Sequence, residues 1–361
     1  MSSKSLLPAT CPPESPSGQL RLCIPSPSVR LESDQDATTT ALSETTLCLL
    51  SGSLDDFILF AGQEASQWLL DQAHDICDPT HLRGSLWVWK GAWVLVARTD
   101  PLIASTYFYI LPTNLTTPLS KISRRDGRSK ASSNTRNNAR IMRSRVLERD
   151  ERCWVTKNTE PLTNSHICPK RMGDDLARGV FEAFTGLPHS PNQSILDPTF
   201  GLCLTLNLDT WFCSHVLGFR FVSPNTYRCH IFNTDPQCFY TAAGAYRRIP
   251  PPPYLLIHGC IASPPNPDRD SIPPPGLLRW HYLQCVIKKF GHSNYTSLAG
   301  IQFPNLMEVV DSDEDSDDES GTDDEADWPS KSLDLGRAIE AERVEGQERL
   351  ELVDEWLLST S

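Results

Sequence analysis

The chain has 361 residues, 39% hydrophobic and 22% charged, which is enough for one large domain or two ordinary ones with a buried core. Its formal net charge of -12 comes from one segment, because residues 308–327 contain twelve Asp and Glu and no Lys or Arg. No apolar run reaches the ~18–20 residues of a membrane span and no secretory signal pattern is present, so we expect a nuclear or cytoplasmic protein, not a membrane or secreted one.

The N-terminal part divides into two predicted segments. Residues 1–44 are rich in Pro, Ser and Thr, which predicts a disordered or loose segment. Residues 45–118 predict a small α+β unit, with a helix over 64–77, two short strands around Lys90 and Gly91, and a further strand over 105–111.

A basic segment follows at residues 119–150. Eleven Lys and Arg stand against four acids between Lys121 and Arg152, and residues 134–149 predict a helix. Three interpretations stay open: a charged surface linker, a helix that faces phosphates, or a nuclear localisation signal. The nucleic-acid contacts predicted from this helix and from the next segment are Arg140, Arg143, Arg145, Arg149, Lys170 and Arg171.

Residues 151–295 predict a second folded region. Its expected elements are extended pieces at CWVT and LTNSHICP, a helix over 174–188, a strand over 200–206, a helix over 207–215, a hairpin over 218–232 and a helix over 277–290. Beyond it we expect an acidic disordered tail at 296–330 and a helix within 331–361. The acidic tail would bind basic proteins or the chain's own basic segment.

Two stretches carry a family resemblance, RVLERDERCWVTKNTEPLTNSHICPK and DPTFGLCLTLNLDTWFCSHVLGFRF. They resemble the HNH-type endonuclease-like domain of fungal proteins, in which an Arg-Asp pair, Cys-x-x-Thr and Ala/Ser-His-Ile-x-Pro-Lys occur in this order. The resemblance spans about residues 145–232, and it implies that residues 151–295 are an HNH nuclease-like domain with a C-terminal extension. It implies an α+β fold with a ββα-metal core, in which two strands and a helix hold one divalent ion.

The resemblance also assigns roles to single residues. His166 occupies the position of the general base that activates water, a task suited to a neutral imidazole. Asp209 stands where the family has a helical His, and its carboxylate would bind Mg²⁺ or Mn²⁺. Phe200 and Cys213 replace the family's Asn and Asp, so the second half of the motif is degenerate.

Three functional hypotheses follow. The first is an HNH nuclease that hydrolyses phosphodiesters of nucleic acid with a bound metal. The second is a catalytically inactive HNH-fold protein that binds nucleic acid or a charged partner. The third is an interaction scaffold whose acidic tail covers its own basic segment.

Overall fold

A computed structural model of the chain describes residues 17–25, 29–30, 46–62, 65–112, 117–118, 133–159, 161–190, 192–232, 257–299 and 301. The predicted C-terminal helix, the acidic run at 308–327 and residues 119–132 of the basic segment lie outside the described residues. The described residues form a mixed α+β structure, as predicted.

The described part of the chain contains seven α-helices: α1 (Leu54–Ala61), α2 (Ala65–Cys77), α3 (Ser133–Asp150), α4 (Gly173–Thr185), α5 (Leu206–Cys213), α6 (Pro275–Phe290) and α7 (Ser293–Leu298). Two 3₁₀ turns, Lys170–Met172 and Pro198–Phe200, lie directly before α4 and before the strand that begins at Gly201.

The strands are β1 (Gln19–Pro25), β2 (Val29–Arg30), β3 (Thr46–Ser53), β4 (Ser85–Trp89), β5 (Trp93–Leu95), β6 (Thr106–Ile110), β7 (Thr117–Pro118), β8 (Leu162–His166), β9 (Gly201–Thr205), β10 (Leu217–Ser223), β11 (Thr226–Ile231) and β12 (Ile261–Ala262). They form a five-stranded sheet in the order β3-β1-β6-β4-β5 and a three-stranded sheet in the order β10-β11-β12. Two small sheets pair β2 with β7 and β8 with β9.

The five-stranded sheet corrects the prediction for the N-terminus. Its inner strand β1 pairs antiparallel with β3 and parallel with β6, and Leu20, Leu22 and Ile24 are fully buried. The prediction of a disordered or loose segment at 1–44 is therefore wrong for Gln19–Pro25. The overlooked signal is this apolar alternation at every second residue, which is typical of a strand with one face in the core.

The predicted boundary between residues 45–118 and 151–295 does not separate two cores. The described residues belong to one compact unit, and both regions contribute to one hydrophobic cluster. The indole N–H of Trp68 in α2 donates to the hydroxyl of Tyr282 in α6 over 2.9 Å. The backbone N–H of His292 donates to the carbonyl of Leu49 in β3 over 2.9 Å, so the residues between α6 and α7 are hydrogen-bonded to an edge strand of the N-terminal sheet.

Most predicted elements of the second region are confirmed, including α4, the β10–β11 hairpin and α6, and the helix α3 predicted for the basic segment is confirmed as well. Helix α4 ends at Gly186, which adopts the left-handed conformation with φ 69°, the usual way for glycine to end a helix. Residues 153–156 form a turn and not the extended piece predicted for CWVT. The reason is local: the Cys153 carbonyl accepts from the Lys157 N–H over 3.1 Å.

Strands β8 and β9 form an antiparallel pair with His166 opposite Gly201. Helix α5 follows β9 directly and contacts both strands, and α3 also contacts both. The missing side chain of Gly201 is what lets α3 come close, because a Cβ there would lie 2.8 Å from Met142 and 3.2 Å from Val146. The fold therefore contains two antiparallel strands followed by a helix at the place where the motif residues lie.

Two of the buried histidines, His230 and His281, are neutral side chains in the core. His230 Nδ1 lies 2.7 Å from the hydroxyl of Tyr282, and His281 Nε2 lies 3.0 Å from the carbonyl oxygen of Phe212. Burial lowers the pKa of each imidazole to about 3. The unfolded chain, with a histidine pKa of about 6.5, binds protons that the folded chain excludes.

The free energy of unfolding should therefore fall as the pH drops from 6.5 towards 3, by up to about 1.4 kcal/mol per pH unit for each buried histidine. Urea titrations between pH 7.5 and 5 measure this slope before most carboxylates titrate. His230→Gln should reduce the slope by nearly one histidine's contribution, whereas His81→Gln, at an exposed position, should not. An equal slope in the wild type and His230→Gln would contradict the assignment.

Candidate functional site

The candidate site, called the strand-end site below, consists of His166 at the end of β8, the preceding Asn164 and Ser165, and Asp209 in α5. His166 is the last residue of β8. Directly opposite residues of an antiparallel pair send their side chains to the same face. Gly201, the partner of His166, faces α3, as does Cys203, whose thiol donates to the carbonyl of Val146 over 3.5 Å. The imidazole of His166 therefore leaves the strand pair on the face that α3 covers.

The position of the His166 ring weakens it as a base. The residue is half-buried, and its Nδ1 is buried without a hydrogen-bond partner among the described residues. Burial, with a smaller contribution from the Lys170 ammonium, lowers the pKa to about 3. The imidazole is neutral at pH 7, but a general base acts best when its pKa lies near the working pH.

The two residues before His166 also carry buried polar atoms without a protein partner in the described part of the chain: Asn164 Oδ1 and Ser165 Oγ. Ser165 is completely buried. Unpaired buried polar groups are rare in folded proteins and usually indicate water, an ion or a ligand group. The end of β8 is therefore polar on both of its faces.

Asp209 lies in the first turn of α5, where a carboxylate favours the positive end of the helix. It is half-buried, and its Oδ1 accepts the thiol of Cys213 one turn later over 3.3 Å. The structure thus brings both predicted residues, His166 and Asp209, into the substructure of two strands and a helix. Asp209 and Cys213, two positions that the resemblance singles out, are therefore hydrogen-bonded to each other.

Phe200 occupies a core position at the end of its 3₁₀ turn, with its ring centroid 6.2 Å from that of Phe181. The loop is held by backbone contacts: the Phe200 carbonyl accepts from Ile167 N–H over 2.9 Å, and Asp197 Oδ1 caps the turn by accepting from Thr199 N–H over 2.9 Å. Where the related family has an Asn, this loop is therefore held by the buried ring of Phe200 and by the side chain of Asp197, which caps the turn.

The donor set does not fit a divalent metal. In the described part of the chain, no three or more His, Cys, Asp or Glu side chains are grouped so that they could hold an ion. Mg²⁺ requires about six oxygen ligands, whereas the carboxylate of Asp209 already accepts a hydrogen bond from the thiol of Cys213. The predicted Mg²⁺ or Mn²⁺ stays a prediction without a set of ligands.

Arg149, predicted as a nucleic-acid contact, is a core residue with 5% exposure, so that prediction is wrong. All five N–H groups of its guanidinium are used. Nε and Nη2 donate to the two carboxylate oxygens of Asp150 over 2.7 and 2.8 Å. Nη1 donates to the carbonyls of Pro198 and Ser271 over 2.9 and 2.6 Å, and Nη2 also to that of Gly201 over 2.8 Å.

Asp150 completes this buried pair, and its structural role was missed from the sequence. Its Oδ2 also accepts from the indole N–H of Trp154 and from the backbone N–H of Cys203, both over 2.8 Å. The pair therefore joins the end of α3 to β9 and to the turn after α3. The signal in the sequence was the spacing of Met142, Val146 and Arg149, which places the arginine on the buried stripe of the helix.

The other predicted contacts are at the surface. Arg140, Arg143, Arg145 and Lys170 are exposed, and they form no ion pair with other described residues. At about 100° per residue, Arg140 and Arg143 are about 60° apart around α3, and Arg145 is about 140° from Arg140 on the other side. The backbone of Arg171 lies in the turn Lys170–Met172, and its side chain lies outside the described residues.

Comparison with known proteins adds no assignment, because no protein-family model, curated protein or solved structure matches the chain. The resemblance to the HNH-type family therefore stays a prediction based on the quoted motifs. Across the described ranges, no helix is long and apolar enough to cross a membrane.

Asp150→Asn should lower the free energy of unfolding by about 3–5 kcal/mol, because it leaves the buried Arg149 guanidinium without its counter-charge. Urea unfolding followed by far-UV circular dichroism measures the loss. Arg145→Lys, on the exposed side of the same helix, is the matched control and should change the value by less than about 0.5 kcal/mol. Equal stability of Asp150→Asn and the wild type would show that the pair does not hold α3 in place.

Proposed function

We propose that residues 145–232 form an HNH-type nuclease-like domain and that the chain binds nucleic acid through the adjoining helix α3 without cleaving it. The order of elements supports the relationship. His166 ends a strand, Gly201 begins its antiparallel partner, and α5 follows with Asp209 in its first turn. A strand, its antiparallel partner and a helix in this order are what the proposed relationship requires.

The observation that carries the binding proposal is the charge of the outer side of α3. Arg140 and Arg143 are exposed about 60° apart around the helix, whereas Met142 and Val146 are buried. Neither arginine is paired with an acid among the described residues. Guanidinium groups fit phosphate oxygens, and each neutralised phosphate releases counterions from the nucleic acid.

Three features of the strand-end site argue against hydrolysis. The pKa of His166 is lowered to about 3 by burial and by Lys170, which makes the imidazole a weak base. Asp209 accepts a hydrogen bond from Cys213, and Phe200 is buried in the core where the family has an amide. The binding interpretation requires none of these residues to react.

Binding is tested by the salt dependence of the affinity for a duplex DNA of arbitrary sequence. Arg140→Ala with Arg143→Ala should reduce the slope of log K against log salt by about 0.9 for each lost phosphate contact. Lys90→Ala with Arg98→Ala makes the same change in net charge at exposed positions near the five-stranded sheet. Equal losses in both double variants would contradict an interface on α3.

Nuclease activity at His166 is the second candidate. It is favoured by the neutral imidazole at a strand end beside unpaired polar atoms of Asn164 and Ser165. Supercoiled plasmid incubated with Mg²⁺ or Mn²⁺ separates the two candidates. We expect no nicking by the wild type, and nicking that disappears in His166→Ala would establish the enzyme instead.

The same assay tests why activity is absent. Asp209→His with Cys213→Asp restores the two residue types that the family carries on this helix. Nicking gained by this variant, and lost again when His166 is changed to Ala, would show that the site lost its ligands and kept its base. Retention of DNA by the inactive wild type in a gel-shift assay is the parallel measurement.

A further inference from the structure

Two cysteines face each other at the edge of the three-stranded sheet. Cys229 in β11 donates its backbone N–H to the carbonyl of Cys260, just before β12, over 2.9 Å. The regular antiparallel register ends with Arg228 opposite Ile261. Beyond it, Gly259 donates its N–H to the carbonyl of Cys229 over 2.7 Å, so Gly259 and Cys260 together stand opposite Cys229. Cross-strand neighbours of this kind have Cα atoms about 4.5–5.5 Å apart, within the range of about 4.4–6.8 Å that disulfides span.

The two thiols differ in their surroundings. Cys229 is fully buried and Cys260 is half-buried, and both are free. The interaction between the two thiols, followed by burial, raises the pKa of Cys229, and the same interaction lowers the pKa of Cys260. The sulfur that solvent can reach is therefore the one with more thiolate character.

A lysine fixes positive charge beside the pair. Lys157 Nζ donates to the carbonyl oxygens of Trp154 and Ser263 over 2.9 and 2.8 Å, and to Ser263 Oγ over 2.8 Å. The backbone at Lys157 has a φ of 62°, an uncommon conformation that aims this side chain at the end of β12. The interaction with the Cys229 thiol is the largest influence and lowers the pKa of Cys260, burial raises it, and the Lys157 ammonium lowers it by a smaller amount.

The residues around Cys229 and Cys260 are a poor metal-binding site, although Cys153 also lies near Lys157. Cys153 Sγ accepts the backbone N–H groups of Val155 and Thr156, both over 3.4 Å. The described residues contain no group of three metal-ligating side chains that could hold an ion, and an ammonium group is already adjacent. The cluster is arranged for thiol chemistry.

We propose that Cys260 is a peroxide-reactive thiol and that Cys229 is its resolving partner, so that oxidation closes a disulfide between β11 and the start of β12. This site is independent of the proposed nucleic-acid interface. The oxidant class is a hydroperoxide, with hydrogen peroxide as the simplest member.

The chemistry balances in two steps. The Cys260 thiolate attacks one peroxide oxygen, the O–O bond breaks, an S–O bond forms, and the departing hydroxide takes a proton to give water. The Cys229 sulfur then attacks the sulfenic sulfur, the S–O bond breaks, and a second water leaves with the thiol proton. Two thiols are oxidised to one disulfide, and one peroxide is reduced to two waters.

The test treats the reduced full-length chain with hydrogen peroxide near pH 7. The product should be about 2 Da lighter, because two thiol hydrogens leave, and dithiothreitol should restore the mass. Peptide mapping should place the crosslink between Cys229 and Cys260. Cys260→Ser, at a half-buried position, should fold and form no such crosslink, whereas Cys229→Ala should leave a sulfenic acid on Cys260 that reacts with dimedone.

The lysine provides a kinetic test. Lys157→Gln removes the charge and should slow the oxidation of Cys260 by about 3–10-fold, whereas Lys157→Arg should keep the rate within about twofold. The rates are measured in a background in which the other thiols that are half-buried or lie outside the described residues are serine, namely Cys11, Cys48, Cys213 and Cys238. Circular dichroism confirms that each variant folds.

Two results would overturn the proposal. One is a crosslink that maps to other cysteines, such as Cys23 with Cys48, which face each other across β1 and β3. The other is oxidation of Cys260 in the folded chain no faster than in the chain unfolded in urea. Either result would show that the fold does not activate this pair.

Discussion

The buried ion pair of Arg149 and Asp150 is the contact on which the arrangement of the second region depends. Arg149 donates hydrogen bonds to the carbonyl of Pro198, before β9, and to that of Ser271, before α6. Asp150 accepts hydrogen bonds from the indole N–H of Trp154 and from the backbone N–H of Cys203 in β9. A charge at such depth is stable only when all its hydrogen bonds are made, and the guanidinium makes all five. The pair therefore fixes α3 against β9, and with it the face of the strand pair to which His166 points.

The local elements could be predicted from the sequence because their signals are local. Apolar periodicity and end signals specify α4, with Gly186 at its end, and the turn residues specify the β10–β11 hairpin. Strand β1 was missed because its seven residues lie in a polar, proline-rich stretch whose average composition resembles that of a disordered segment. The single core was missed because it arises from distant contacts, such as that between Trp68 and Tyr282.

The candidate site could be predicted only in part. The motif spacing indicated a strand end at His166 and a helix that carries Asp209, and both lie there. The environment of each group was not predictable, because it comes from tertiary packing: Gly201 admits α3 beside the imidazole, and Cys213 bonds to the carboxylate. Arg149 shows the same limit, since arginine is a surface residue by type and becomes a core residue here by its position on the helix.

The arginines of helix α3 have two different roles, one in the core and one at the surface. On its inner side the charge of Arg149 is neutralised by Asp150, so that side contributes packing and hydrogen bonds and little external field. On its outer side Arg140 and Arg143 keep their charge in solvent, where attraction to a polyanion is long-ranged and sensitive to salt. Because the inner side anchors the helix, the outer arginines of the proposed interface would lose only side-chain freedom on binding phosphate. A buried ion pair, whose net contribution to stability is often small, would in this way contribute to the proposed recognition by holding the exposed charges in place.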